Sequence, residues 1–410
     1  MSAPARPLVL AAALGMVPAL ALGLGRFGYA LLLPSMRADL GWSYVQASAL
    51  TAANALGYLV GALLAARVAA RISALGSTLA GCVVCAASIA LCALTADLSQ
   101  LVALRAAAGA SGGIAFVCGA GLAAHLARAT RGPAHRVLGI YTGGAGVGIV
   151  AAVAAAPDRA IDWPAGWAVL GLLGALATAL VAAAAAPLRH AGPVATASTL
   201  APADRRRLRS LVPAYAVFGA GYIGYMTFIV ALLRAEGRST ATVLGFWAVL
   251  GAAAIVSVPL WTRLLRNAGP HAGPALVLGA CGFGALLPTL STSLPAALAS
   301  AVAFGGSFLA VVAAVSNSAR TLVPAPAVTA AIGALTVALA LGQSFGPFLG
   351  GLVADAPAGL RMSLALSALA LLAGAGALAR IDRPRAPATE LTPTLPPAAP
   401  GRSASVPHRR

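Results

Sequence analysis

The sequence predicts an all-α membrane protein with twelve transmembrane helices, arranged as two six-helix pseudo-symmetric bundles. Three observations lead there. The 410-residue chain is 60% hydrophobic and 9% charged, with a mean hydropathy of +0.91, more apolar surface than a soluble chain of this length hides. Its apolar runs repeatedly reach the roughly 20 residues that cross a hydrocarbon layer, whereas a β-barrel would show short alternating segments. One string also occurs twice: Gly23-x-Gly25-Arg26-Phe27-Gly28-Tyr29 returns as Gly219-x-Gly221-Tyr222-Ile223-Gly224-Tyr225, 196 positions later (221 − 25 = 196). The same offset carries Gly41 onto Gly237, Arg67 onto Arg263, Gly109 onto Gly305 and Ser111 onto Ser307. In a membrane protein such duplication points to a transporter built from two copies of one unit.

The first span, 8–33, follows Arg6 and is too long for a signal peptide, so it reads as an uncleaved helix. The next, 44–68, ends next to Arg67, and Arg71 follows in the loop. Span 75–96 carries Cys82, Cys85 and Cys92. Span 98–127 carries Arg105 and Gly109, 136–156 carries Gly144-x-x-x-Gly148, and 165–187 closes the first bundle, 8–187. A cytoplasmic linker, 188–209, holds Asp204-Arg205-Arg206-Arg207. The second bundle, 210–380, comprises spans 210–235, 240–265, 272–290, 293–321, 327–354 and 358–380. Glycine and proline are commoner in membrane helices than in soluble ones and do not argue against these spans. The last segment, 381–410, is rich in Pro, Ala, Thr and Ser without apolar period and reads as a disordered cytoplasmic tail.

The net charge of +18 comes from 27 arginines against nine acids. With the N-terminus inside, the internal side holds Arg6, Arg67, Arg71, Arg128, Arg131, Arg136, Arg189, Arg205, Arg206, Arg207, Arg209, Arg263, Arg266, Arg320, Arg380, Arg383, Arg385, Arg402, Arg409 and Arg410. The external side holds Arg37, Arg159, Arg234, Arg238 and Arg361. This split of 20 against 5 is a positive-inside bias that places both termini in the cytoplasm of a multi-pass protein of the bacterial inner membrane. A nucleic-acid surface would gather its charge on a soluble domain, and no nucleic-acid partner is expected. Cys82-x-x-Cys85 has no second ligand pair and reads as two small residues packed in a helix. Gly23-x-Gly25-x-x-Gly28 fits a dinucleotide pattern, but no strand precedes it, so close helix packing is the better reading. No cofactor and no metal site are expected.

Several motifs resemble those of the major facilitator superfamily over about residues 8–380. The loop after the second span, Leu63-Leu64-Ala65-Ala66-Arg67-Val68-Ala69-Ala70-Arg71, stands where that family has Gly-x-x-x-Asp-Arg-x-Gly-Arg-Arg; Ala66 replaces the Asp and Ala69 the Gly. A similarly degraded copy is Leu260-Trp261-Thr262-Arg263-Leu264-Leu265-Arg266. The resemblance implies that Arg67, Arg71 and Arg263 belong to a gating loop, one that here lacks its acidic partner. Arg105-x-x-x-Gly109-x-x-x-Gly113 is similar to the family's fourth-helix arginine motif. Gly342-Gln343-Ser344-Phe345-Gly346-Pro347-Phe348-Leu349-Gly350-Gly351 resembles the Gly-Pro string of drug and proton antiporters, displaced from the fifth helix to the eleventh, so Gly346 and Pro347 are conformational candidates. The first span most resembles the bacterial YbfB/YjiJ-like branch. The family resemblance implies alternating access around a cavity lined by the first, fourth, seventh and tenth spans.

Two arginines lie inside the apolar spans, Arg26 and Arg105. Each is seven residues from the external end of its span (33 − 26 = 7; 105 − 98 = 7), about 10 Å deep at 1.5 Å per residue. A guanidinium at such depth costs about 2.5–3.5 kcal/mol on insertion scales, which suits a pair of forks receiving a carboxylate. Snorkelling by Arg26 and a bracing role for Arg105 are the structural alternatives. Asn54, Tyr222, Tyr225, Ser307 and Gln343 are polar candidates around them, with Tyr222 at the repeat position of Arg26. The acids all fall in loops, helix ends or the tail, so the mid-membrane carboxylate that proton-coupled carriers usually use is missing. No nucleophile has a nearby base, and no enzymatic activity is expected. The expectation is therefore a monomeric secondary transporter in the lipid bilayer that moves a small organic anion. Efflux of amphipathic or drug-like compounds is the second reading, and a non-transporting membrane sensor or scaffold the third.

Overall fold

A computed structural model describes residues 5–130, 134–155, 162–189 and 200–381. Residues 382–410 of the tail and 190–199 of the linker lie outside the described residues. Among them, twelve helices are long and apolar enough to cross a membrane: α1 Pro7–Leu40, α2 Tyr44–Ile72, α3 Ala74–Leu94, α4 Leu98–Ala129, α5 Arg136–Ala155, α6 Trp163–Ala184, α7 Leu211–Ala235, α8 Thr240–Leu264, α9 Ala272–Leu290, α10 Leu294–Leu322, α11 Ala325–Ala354 and α12 Gly359–Ala379. A short linker helix, Pro202–Leu208, precedes α7.

The fold is two bundles of six, and the duplication extends to atomic detail. Within the first bundle α2 packs on α4, α1 on α5 and α3 on α6. Within the second, α8 packs on α10, α7 on α11 and α9 on α12. Gly41 ends α1 in the left-handed region at φ +66°, and its counterpart Gly237 follows α7 at φ +71°, a backbone conformation glycine adopts without steric cost. Ser43 caps α2 through the Gln46 amide, and Ser239 caps α8 through the Thr242 amide (43 + 196 = 239). A methyl group on Gly109 would overlap the Asn54 carbonyl; one on Gly305 would overlap the Leu250 carbonyl, 196 positions from Asn54. These close approaches matter because lipid offers no hydrophobic drive between helices, which leaves close packing to hold them together. Large apolar side chains such as Leu63, Leu172, Phe283 and Phe345 are turned outward and exposed, as a lipid-facing surface requires.

The first helix departs from expectation. It continues through Pro34 to Leu40 instead of stopping at 33, because neighbouring membrane helices tolerate the interrupted ladder that proline imposes. Its middle, Ala19–Phe27, is wound as a π-helix, closed by the Gly28 amide donating to the Gly23 carbonyl at 2.9 Å. Arg26 lies in that stretch.

The halves meet through α1 with α7, α2 with α11 and α5 with α8. At the end of the bundle opposite the linker, the Asp355 carboxylate following α11 accepts the amides of Tyr44 (2.7 Å) and Val45 (3.2 Å) at the start of α2. Gly351 lets α11 approach Tyr44 and Ser48 there. At the linker end, α4 forms no extensive pairing with α10 or α11 among the described residues.

Candidate functional site

Arg26 is carried to the interface between the halves by α1. It is 5% exposed. Its Nε donates to Asn54 Oδ1 on α2 (3.2 Å), and its Nη1 donates across the interface to Gln343 Oε1 on α11 (2.8 Å). The guanidinium lies 4.5 Å from the centre of the Tyr58 ring, a cation–π arrangement. Gln343 passes the contact on by donating its Nε2 to the Tyr222 hydroxyl at 2.6 Å. Arg26 Nη2 is buried and has no hydrogen-bond partner among the described residues, and no acidic side chain there pairs with this guanidinium. Arg26 therefore does not snorkel: it is a buried cation tied to both halves with one donor arm unused.

Beside it is a narrow cleft lined by Arg26, Phe27, Tyr29, Ala30, Thr51, Ile223, Met226 and Thr227. It has room for only about 10 Å³ of water-sized occupant, far less than the roughly 300–1,000 Å³ of ordinary ligand pockets. With the halves in this arrangement, the site is nearly shut.

Arg105 takes a different place from the one its depth suggested. It is fully buried inside the first bundle, where its Nη1 donates to the Gly25 carbonyl and its guanidinium lies 5.6 Å from the Tyr29 ring and 5.2 Å from the Trp167 ring. The Arg105 carbonyl accepts from Asn54 Nδ2 at 3.3 Å. It is thus adjacent to Arg26 but points away from the cleft, because its position on α4 aims it at α1 and α6. Its Nη1 satisfies a carbonyl in the π-wound stretch of α1, while its Nε and Nη2 are buried without hydrogen-bond partners among the described residues.

Among the other candidates, Asn54, Gln343 and Tyr222 join Arg26 directly. Tyr225 turns into the second bundle, with its hydroxyl 2.6 Å from Ser300 Oγ and its ring against Phe304. The Ser307 hydroxyl donates to the Ala303 carbonyl of its own helix at 2.6 Å, as its repeat partner Ser111 does to Ala107 at 2.7 Å. Gly346 packs against Ala220 of α7, and Pro347 is buried within α11, so the Gly-Pro string touches α7 of its own bundle, while its Gln343 and Gly351 reach the first half. Arg67, Arg71 and Arg263 are exposed, with no ion pair or hydrogen bond among the described residues. Ala66, where the resemblance implied an acidic partner, offers them no charge.

Three participants escaped the sequence reading. Tyr58, four residues after Asn54, shares its face of α2, and that spacing was the available signal. Phe27 follows Arg26 and presents its ring edge-on to Tyr222 (6.4 Å) and Phe308 (5.8 Å) of the opposite half. Asp355 gave no local signal, because its partners are more than 300 residues away.

Residues 18–379 match the family described as uncharacterised MFS-type transporter YbfB. No match was found among curated protein sequences. Among solved structures, a bacterial homologue of the human lysosomal transporter Spinster, inward-facing and unoccupied, superposes with a TM-score of 0.69 at 17% identity, covering 93% of this chain and 96% of that one. The nucleoside transporter NupG superposes with a TM-score of 0.69 at 13% identity, covering 92% and 100%. At these identities the likeness concerns the fold.

Proposed function

The chain belongs to the YbfB-like family of major facilitator transporters, and from that premise we propose that it carries a small organic anion by alternating access, with Arg26 as the charged contact. One observation carries this reading: a 95%-buried guanidinium (100 − 5) bridges the two halves, has no acidic partner among the described residues and keeps Nη2 free. A cation held in apolar surroundings is costly unless paired. An anion at Nη2 supplies the missing charge, so the loaded carrier changes state at lower cost than the empty one. That favours exchange or facilitated flow over proton symport. It also agrees with the acids, which among the described residues lie at helix ends and in turns.

We place both termini in the cytoplasm on the arginine bias, which makes the Asp355 end external and the linker end internal. In that orientation the external side is closed. We further propose that the chain acts as a monomer in the bacterial inner membrane.

The test is counterflow into proteoliposomes preloaded with acetate, lactate or benzoate, using labelled forms of the same anions. Internal anion is expected to accelerate uptake, and Arg26→Gln is expected to abolish the acceleration. Uptake by all three that ignores the internal anion and survives Arg26→Gln would refute the reading.

A further inference from the structure

Arg26 sits between aromatic groups supplied by opposite halves. On the first half, Tyr58 lies under the guanidinium and is followed by Phe116 (6.0 Å) and Tyr141 (5.7 Å further). On the second half, Tyr222 is stacked between Phe218 (4.7 Å, 19°) and Phe308 (6.1 Å, 22°). Phe27 closes the seam from the first half, edge-on to Tyr222 and Phe308. Rocking that separates α1 from α7 and α10 parts Phe27 from those two rings and bares aromatic faces and edges near Arg26, which reaches Tyr222 through Gln343. Charge sets a second limit. Arg26 is the cation lining the cleft, while Arg105 points into the first bundle, so a second carboxylate on the solute would meet no cation within the cleft.

We infer that the carried solute is a monoanion bearing an aromatic ring, whose carboxylate meets Arg26 Nη2 while its ring enters the seam among Phe27, Tyr222 and Phe308. This deepens the anion reading and rests on it. An aryl ring restores the edge-to-face and stacked contacts that the parting halves lose, whereas an alkyl group of equal size fills the space without them.

The experiment uses the purified full-length chain in detergent, with binding followed by calorimetry and by the rise in melting temperature that a ligand of the folded state produces. The probes are benzoate, cyclohexanecarboxylate, benzamide and phthalate. Benzoate is expected to bind five- to tenfold more tightly than cyclohexanecarboxylate, with benzamide and phthalate each at least tenfold weaker than benzoate. Phe308→Leu is expected to reduce the benzoate preference below twofold while cyclohexanecarboxylate binding persists. Phe27→Leu is the parallel variant should the first not fold. Equal affinity for benzoate and cyclohexanecarboxylate overturns this inference and leaves the anion reading standing, as does phthalate binding more tightly than benzoate. A preference unchanged in a folded Phe308→Leu or Phe27→Leu protein overturns the placement of the ring. Benzamide binding as well as benzoate, with Arg26→Gln indifferent to both, overturns the inference and the anion reading together.

Discussion

Replacing Asp355 with alanine should loosen the end of the bundle at which the halves are closed. The carboxylate accepts the first two amides of α2, at 2.7 Å from Tyr44 and 3.2 Å from Val45, while Ser43 takes the third through Gln46. Side-chain capping of a helix start contributes about 0.5–2 kcal/mol, and a negative charge there about 0.3–1 kcal/mol when exposed. Because Asp355 is solvent-exposed, screening places the combined loss near the lower end, about 1 kcal/mol. Since about 1.4 kcal/mol is a tenfold change in an equilibrium, the closed-to-open ratio at this end should fall roughly fivefold. Asp355→Asn, which retains an acceptor but no charge, should move it less. Spin labels at Ala38→Cys and Ala356→Cys, both exposed positions flanking the contact, report the separation of the halves. The described cysteines are buried and free, so they compete little for label. A distance distribution in folded Asp355→Ala that superposes on the parent's would refute the reasoning, as would an effect of Asp355→Asn larger than that of Asp355→Ala.

Other expectations concern parts of the molecule with different duties. Gly305→Ala forces a methyl group into the Leu250 backbone; it should destabilise by about 1–3 kcal/mol, as overpacking does, and lower the melting temperature, with Gly109→Ala matching it because the contact is duplicated. Arg105→Met removes the donor to the Gly25 carbonyl and should lower thermal stability while leaving the affinity of the folded protein for benzoate within threefold, whereas Arg26→Gln should lose that affinity at least tenfold. Asp97 caps α4, and the Ser99 hydroxyl and Gln100 amide hold its carboxyl below the usual carboxylate range. A depressed pKa contributes stability above the unfolded value that disappears as pH falls through the folded one. The melting-temperature gap between the parent and Asp97→Ala should therefore stay constant from about pH 5 to 8 and shrink only below about pH 4.

Much of the scaffold was legible in the chain because duplication and span length are one-dimensional properties. The 196-residue offset that matched Gly41 to Gly237 also matched two left-handed turns, two serine caps and two glycine contacts. The presence of Arg26 at the centre was legible as well, since a guanidinium in an apolar run stands out. Its direction was not. Arg26 and Arg105 have equal depth, yet one faces the seam and the other faces Trp167. That difference depends on helix rotation, which depth arithmetic leaves undetermined, and for Arg26 it depends also on a local winding that shifts the register of side chains. Gln343 was visible as a polar residue in an apolar span, but its bond to Arg26 spans 317 residues and leaves no local pattern.

The winding of Ala19–Phe27 has a mechanical consequence. A stretch held by wide rings stores slack, much as a loosely coiled spring does. Tightening it to ordinary α-helical bonds would lengthen the stretch and turn the residues beyond it about the helix axis. The change would be made without breaking the helix that carries Arg26.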